Sequence, residues 1–576
     1  MYNHSLGSNA SVGLAASRQI GRVEDVGFDG AAIALDRNVL AELAALPDAV
    51  LALSGAVGGQ VKIRVGTRWL IASLRSMQPD GANDARLIAQ VDVIGEGEIG
   101  PGDSLEAFRL GYSHYPKPGD AVYPMSQPDM EMLFRQTEGV HVEIGDVYPS
   151  TSVRASLDID ALLSRHFALL GSTGSGKSNA AALIMHRIIE QAPHGHIVVI
   201  DPHGEYAQSF AGRGVVFNVE NLALPYWLMN FEEHCEVFVT CDGAERELDR
   251  AILARCLSKA RLKNLADDAP AEVSVDTPVP YLISEILAAL DTDMGKLDNV
   301  SELTRYVRLK NRINEVLRDN RYAFMFNRTL VADTMKSFLA RILRMEDDGK
   351  PIAILDLSGV PSDIVSVVVA IVARIVMDHA IWSRSDDHRP VLLVCEEAHR
   401  YIPAERVVSS ASVRRNLERI AKEGRKYGVS LGLISQRPSD LAEGTLSQCG
   451  TILTMRMNND RDQACIRNAM PEGGRSFLDA LPALRKGECI VSGDGVSLPI
   501  RVRLDLLPED RRPRSEDPSF SAIWGKRGNT GQALDGTIRR WRNKTGPVAV
   551  VPNTMDAAPG LSLLKSVHAL RLDKAS

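Results

Sequence analysis

The chain has 576 residues, of which 45% are hydrophobic, 5% aromatic and 24% charged. That length and balance exclude an intrinsically disordered chain and predict roughly two to four globular domains. A formal net charge of −7 excludes whole-surface attraction to nucleic acid, so any such contact has to come from basic residues gathered locally.

Residues 1–20 lack the basic start and apolar core of a secretion signal and are expected to form a flexible N-terminus. From 21 to 150 short apolar stretches alternate with glycine turns. In "QVKIRVGTRWLIASL", Val61, Ile63 and Val65 alternate with Lys62, Arg64 and Gly66, and "RLIAQVDVIGEGE" ends at glycines. Such period-two patterning predicts a small β-barrel or sandwich suited to docking or assembly.

Over 151–222 and again over 328–507 the rhythm becomes strand, glycine loop, helix, with strand candidates in "HFALLG", "HIVVIDPHGEY", "PIAILDLSG", "PVLLVCEE", "VSLGLISQ" and "TILTMRM". Strands alternating with helices predict an α/β fold, a mostly parallel sheet covered on both faces. Between them, over 223–327, strands vanish. Leu248, Ile252, Leu253, Cys256, Leu257 and Ala260 fall on one helical face, which predicts a helical insertion. The charged, proline-bearing stretch "PEDRRPRSEDPSF" opens a tail over 508–576. The seven cysteines form no CxxC pair and meet no histidine at zinc spacing, the pattern of reduced core thiols in a cytosolic protein. The longest apolar run, near 364–373, is interrupted by Arg374 and is too short to span a bilayer, so a soluble, cytoplasmic protein without membrane contact is expected.

The sharpest chemical signal is "GSTGSGKS", Gly171, Ser172, Thr173, Gly174, Ser175, Gly176, Lys177 and Ser178, between a predicted strand and a predicted helix. Gly171, Gly174 and Gly176 let successive N–H groups curl round phosphate oxygens at the positive end of the helix. Lys177 neutralises the β- and γ-phosphates, and the Ser178 hydroxyl is placed to ligate Mg²⁺. The pattern therefore predicts a nucleoside triphosphate ligand, with Asn179 next in the loop. A carboxylate at the end of a neighbouring strand completes such a site, and Glu396 and Glu397 both follow the apolar run "VLLVC". Gln436 ends another strand in "LISQRPSD", where its amide can report the γ-phosphate. Arg425 follows a basic helix in "AKEGRKYG"; spacing alone leaves it open between a solvated helix cap and an arginine finger. Asp201 and Glu205 in "DPHGEY" are expected to line the site.

Taken in order, "FRLGYSHYPKPGDAVYP", "GSTGSGKS", "IDPHGEY", "LVCEEAHR", "EGRKYGVSLGLISQRPSDL", "RMNNDRD" and "LPALRKGECIVSGDGVSLPIRV" resemble the HerA branch of the HerA–FtsK superfamily, over about 21–506. The resemblance implies an N-terminal barrel of the HerA and ATP-synthase type, a RecA-like P-loop core with a helical-bundle insertion, and a homohexameric ring. It implies ATP and Mg²⁺ as cofactors and double-stranded DNA drawn through the central pore. By the same likeness Lys177 and Ser178 are phosphate-loop residues, Glu396 is the metal-side acid and Glu397 the catalytic acid. Gln436 is the sensor, Arg425 the finger, and Arg456 a second candidate for the finger or a nucleotide contact. Arg485 and Lys486 are open between pore contacts and an ordinary surface loop. The family works with effector enzymes in DNA end processing, and bacterial members resemble antiviral defence pairs. A nuclease or a sirtuin-like NAD-hydrolase docking on the barrel is therefore expected. An ATPase scaffold that regulates its effector without unwinding DNA is the alternative, and a conjugative or packaging motor stands behind both.

Overall fold

A computed structural model describes residues 15–543 apart from 28–29, 136–138, 151, 264–269, 271, 297–299, 328–329, 347, 384–387, 406–410, 471, 515–518 and 526–529. The chain divides into two units, Met1–Asp517 and Pro518–Ser576. Most of the expected N-terminal segment 1–20 and the end of the expected tail lie outside the described residues.

The first unit opens with strands β1 (Gly21–Gly27), β2 (Gly30–Asp36), β3 (Gln60–Val65), β4 (Arg68–Pro79), β5 (Arg86–Ile99), β6 (Leu105–Leu110) and β7 (Ala121–Pro124). They pair in the order β2-β1-β7-β3-β4-β5-β6, and β2 also pairs with β5, so six strands close into a barrel and β6 is an appended edge. Register shifts in β4 and β5 give these long strands the bend that closure requires. Val61 and Ile63 point into the core, as the alternation predicts. Lys62 on the opposite face is buried too, because the helix Gln127–Leu133 covers it. Its ammonium donates to Asp129 Oδ2 at 2.7 Å and to the Asp103 carbonyl at 2.9 Å.

Eleven strands form the second sheet: β8 (His141–Val147), β9 (Arg154–Asp158), β10 (Phe167–Leu170), β11 (His196–Asp201), β12 (Gly214–Phe217), β13 (Ile352–Asp356), β14 (Val391–Cys395), β15 (Val429–Ser435), β16 (Thr451–Met455), β17 (Glu488–Gly493) and β18 (Ile500–Leu504). Their order is β12-β13-β11-β14-β15-β10-β16-β17-β18-β8-β9. From β12 to β16 every pairing is parallel, and from β16 onward every pairing is antiparallel. The parallel strands are predominantly apolar, as strands covered on both faces are. The expected barrel boundary at 150 moves: β8 pairs with β18 and belongs to the large sheet.

Helix α1 (Lys177–Gln191) follows β10. The insertion is built on α2 (Gly243–Lys263), α3 (Ile283–Met294) and α4 (Val300–Arg318). On α2 the expected face is buried except Leu248, which is exposed. Helix α5 (Ser362–Trp382) carries the apolar run and continues through the Arg374 that ends it in sequence. By length and composition alone its Ile364–Trp382 stretch suffices to cross a membrane, but most of it is buried inside the fold. Arg374 is accommodated by a bidentate pair with Glu233, at 3.0 and 2.9 Å, and a bond to the Leu228 carbonyl at 2.6 Å.

The tail expected from 508 is not free at its start. Ser209 Oγ donates to the Arg511 carbonyl at 2.6 Å, and the Arg514 N–H to the Glu205 carbonyl at 3.1 Å. The second unit contains the helices Phe520–Trp524 and Thr530–Asn543.

Candidate active site

In the parallel region Leu170 pairs with Ser435, Ile200 with Cys395, and Asp201 with Asp356, so the carboxyl ends of β10, β11, β13, β14 and β15 lie level. Residues leaving these ends converge on one edge, the crevice where open α/β sheets bind ligands.

The loop Gly171–Gly176 curls as its glycines permit. Gly174 and Gly176 have φ of 76° and 106°, and a Cβ on Gly171 would meet Met455 at 2.8 Å. The Ser172 N–H and hydroxyl donate to the Arg456 carbonyl at 3.0 and 2.8 Å, and the Gly487 N–H to the Ser175 carbonyl at 3.1 Å. The loop is thereby clamped between β16 and the turn before β17. Lys177 Nζ donates to the Ser172 carbonyl at 3.2 Å. Burial pushes the Lys177 ammonium below its ordinary value, opposed by the charges of Glu396, Glu397 and Glu205.

Glu396 and Glu397 leave β14 into opposed environments. Glu396 is buried, and its Oε2 accepts the Tyr206 hydroxyl at 2.7 Å. Burial pushes its carboxyl up to about 8; the Tyr206 bond opposes the rise and the neighbouring Glu397 adds to it. Glu397 stands in the left-handed region at φ 52°, a strain of roughly 1–2 kcal/mol for a residue with a Cβ. Gln436 Nε2 donates to Glu397 Oε1, and Thr173 Oγ1 donates to Gln436 Oε1. Gln436 thus bridges the loop and the second glutamate, because β15 lies between β10 and β14. Glu397 Oε2 is buried without a hydrogen-bond partner among the described residues, 3.3 Å from His399 Nδ1. Burial lowers the His399 pKa, which favours a neutral ring, and Nδ1 also lies 3.1 Å from Ser435 Oγ.

The edge therefore gathers the phosphate loop, Lys177, Glu396, Glu397 and Gln436. Ser178 occupies the first turn of α1, and the neighbouring Asn179 keeps a buried Oδ1 without a partner among the described residues. Asp201 is present but spent: it accepts the N–H groups of His203, Gly204 and Tyr206 at 3.2, 2.8 and 2.9 Å and shapes the turn after β11. Burial raises its carboxyl to about 6, against the pull of those bonds. Glu205 is half-buried on that turn. Arg456 belongs to the loop's own edge and leaves a buried Nε without a partner among the described residues. Arg485 and Lys486 are exposed beside Gly487, the turn that supports the loop. The residues present suit Mg²⁺, a hard cation: the Glu396 carboxyl, whose buried charge a cation would offset, and the Ser178 hydroxyl at a helix start are both oxygen donors.

Arg425 is not brought to this edge. It lies in the turn Gly424–Tyr427 before β15, so the seven-residue strand, about 3.3 Å per residue, separates it from Gln436. There it is exposed and borders a mostly apolar hollow of about 620 Å³ lined also by Ile159, Leu163, Ile188, Val391 and Val429. Tyr206 and His399 are site residues that motif reading did not single out.

Residues 142–376 match the protein family described as "Helicase HerA, central domain". The chain is 26% identical over 497 residues to the "DNA double-strand break repair helicase HerA" of Pyrococcus furiosus, covering 79% of this chain and 86% of that one. It is 28% identical over 403 residues to the "Probable DNA double-strand break repair helicase HerA" of Methanocaldococcus jannaschii, covering 63% and 76% respectively. Among solved structures, VirB4 of Thermoanaerobacter pseudethanolicus aligns with a TM-score of 0.45 at 17% identity, over 65% of this chain and 99% of that one.

Proposed function

Since the chain belongs to the HerA–FtsK superfamily of P-loop ATPases, we propose that it is a cytoplasmic, ring-forming motor that hydrolyses ATP to move double-stranded DNA through a homohexameric pore. The carrying observation is the split of the site: loop, acids and sensor on one edge of the sheet, Arg425 on the other. An arginine there cannot reach the nucleotide of its own chain. In a ring it meets the neighbour's, which makes hydrolysis depend on contact between subunits.

The N–H groups of the glycine loop and the start of α1 bind the phosphates, and Lys177 balances their charge. Ser178 and Glu396 would hold a Mg²⁺ ion, which would supply positive charge beside the transferred phosphoryl group. Glu397 accepts the proton of the attacking water. Gln436 donates to its Oε1 and accepts from Thr173, which ties the base to the phosphate loop. Exposed Leu110, Tyr112 and Tyr115 at the barrel's appended edge support docking of an effector enzyme there, a nuclease or an NAD-hydrolase.

The test is ATP hydrolysis with and without linear duplex DNA. Duplex is expected to stimulate the wild type, and stimulation is expected to weaken steeply with salt. Glu397→Gln is expected to lower turnover by about 10²–10⁴-fold while nucleotide still binds. Unchanged turnover in that variant contradicts the assignment.

A further inference from the structure

We infer that Tyr206 is a positioning residue for the metal-side acid: its phenol, carried on the turn after β11, aims the Glu396 carboxylate at the magnesium shell. The inference rests on the nucleotide reading above and deepens it.

Tyr206 is fully buried, and its hydroxyl donates to Glu396 Oε2 at 2.7 Å. It is the one side-chain donor to that carboxylate among the described residues, and it leaves Oε1 without a hydrogen-bond partner there. The phenol is itself held. The Tyr206 N–H donates to Asp201 Oδ2 at 2.9 Å, and Asp201 Oδ1 gathers the N–H groups of His203 and Gly204 at 3.2 and 2.8 Å. The two strands are registered at this level, for the Glu396 N–H donates to the Ile200 carbonyl at 3.1 Å. Donor and acceptor are therefore fixed from both sides of one strand pair.

The chemistry of the donor matters. An arginine or lysine at this place would orient Glu396 and also cancel its charge, leaving less for a cation. A neutral hydroxyl fixes the rotamer and brings no positive charge of its own, so Glu396 stays free to ionise toward a cation, as metal-binding carboxylates backed by such groups do. A ring needed only to fill space under α1 would serve equally well as phenylalanine, so the hydroxyl is the part that the packing does not explain.

The test is binding of a fluorescent, non-hydrolysable ATP analogue across a Mg²⁺ titration in wild type, Tyr206→Phe, Glu396→Gln and the double variant. Tyr206→Phe is expected to raise the Mg²⁺ concentration for half-maximal binding about 10-fold. Binding without Mg²⁺ should be unchanged, and the substitution should add no further shift over Glu396→Gln, since the two groups act as one. An unshifted Mg²⁺ dependence, or the same shift over Glu396→Gln, overturns the assignment. So does a Tyr206→Phe chain that no longer folds, because the hydroxyl would then be structural. Wild-type protein that binds no analogue with Mg²⁺ overturns the nucleotide reading and this inference with it.

Discussion

Glu396 and Glu397 are neighbours in sequence, but the left-handed backbone at Glu397 sends the two side chains to different partners, Tyr206 for the first and Gln436 for the second. Burial raises Glu396 from 4.5 to about 8, so between those values the folded, nucleotide-free chain holds a proton that the unfolded chain has lost. Stability from this group is therefore greatest below 4.5 and is lost as pH rises toward the folded value. Glu396→Gln removes that cost. It is expected to raise the Tm of the nucleotide-free protein by about 1–2 °C at pH 8 relative to wild type and to leave it unshifted near pH 4.5. Scanning calorimetry at both pH values checks this, and an equal shift at both contradicts burial as the cause. The phosphate loop and both glutamates were legible in the sequence because each motif sits where an apolar strand ends. Tyr206 was not, since a tyrosine after a strand reads as core, and only the β11–β14 register shows its hydroxyl meeting a carboxylate. Asp201 stands at the edge where the sequence put it, but that three backbone N–H groups occupy its carboxylate shows only in the folded turn.

Helix α5 is tied to the insertion through the paired forks of Arg374 and Glu233. Glu233 is fully buried. Glu233→Ala is expected to cost about 1.5–3 kcal/mol, because it removes the charge-assisted fork and leaves Arg374, among the described residues, with only Asp378 at 3.4 Å and the Leu228 carbonyl at 2.6 Å. Chemical denaturation monitored at the tryptophans measures it. A cost under about 1 kcal/mol would place the pair among exposed bridges instead. Periodicity made the alternation of strands and helices legible, and most of the buried face of α2. It did not place the end of the barrel. "HVEIGDV" alternates like any barrel strand, and its partner β18 comes from the far end of the unit, where no local pattern points back to it. Arg374 likewise looked like a break in an apolar run because its buried partner lies on another element.

On the proposed reading, two opposite edges of the large sheet each carry part of one catalytic site. Arg425 borders an apolar hollow at one edge, while the loop, acids and sensor stand at the other. Copies stacked edge to edge would on that reading complete one site per contact, and a closed ring would leave none unfinished. Arg425, which spacing left open between cap and finger, lies a strand's length from the loop and acids of its own chain, and the finger reading needs a second copy. The direct test is hydrolysis by mixed subunits. Glu397→Gln spoils the site and keeps the finger, and Arg425→Ala does the reverse, so each alone is expected to be nearly inactive. In an equal mixture about a quarter of the contacts join an intact site to an intact finger, and activity should return. Full activity of Arg425→Ala alone, or a mixture as silent as its components, would contradict a site shared between subunits.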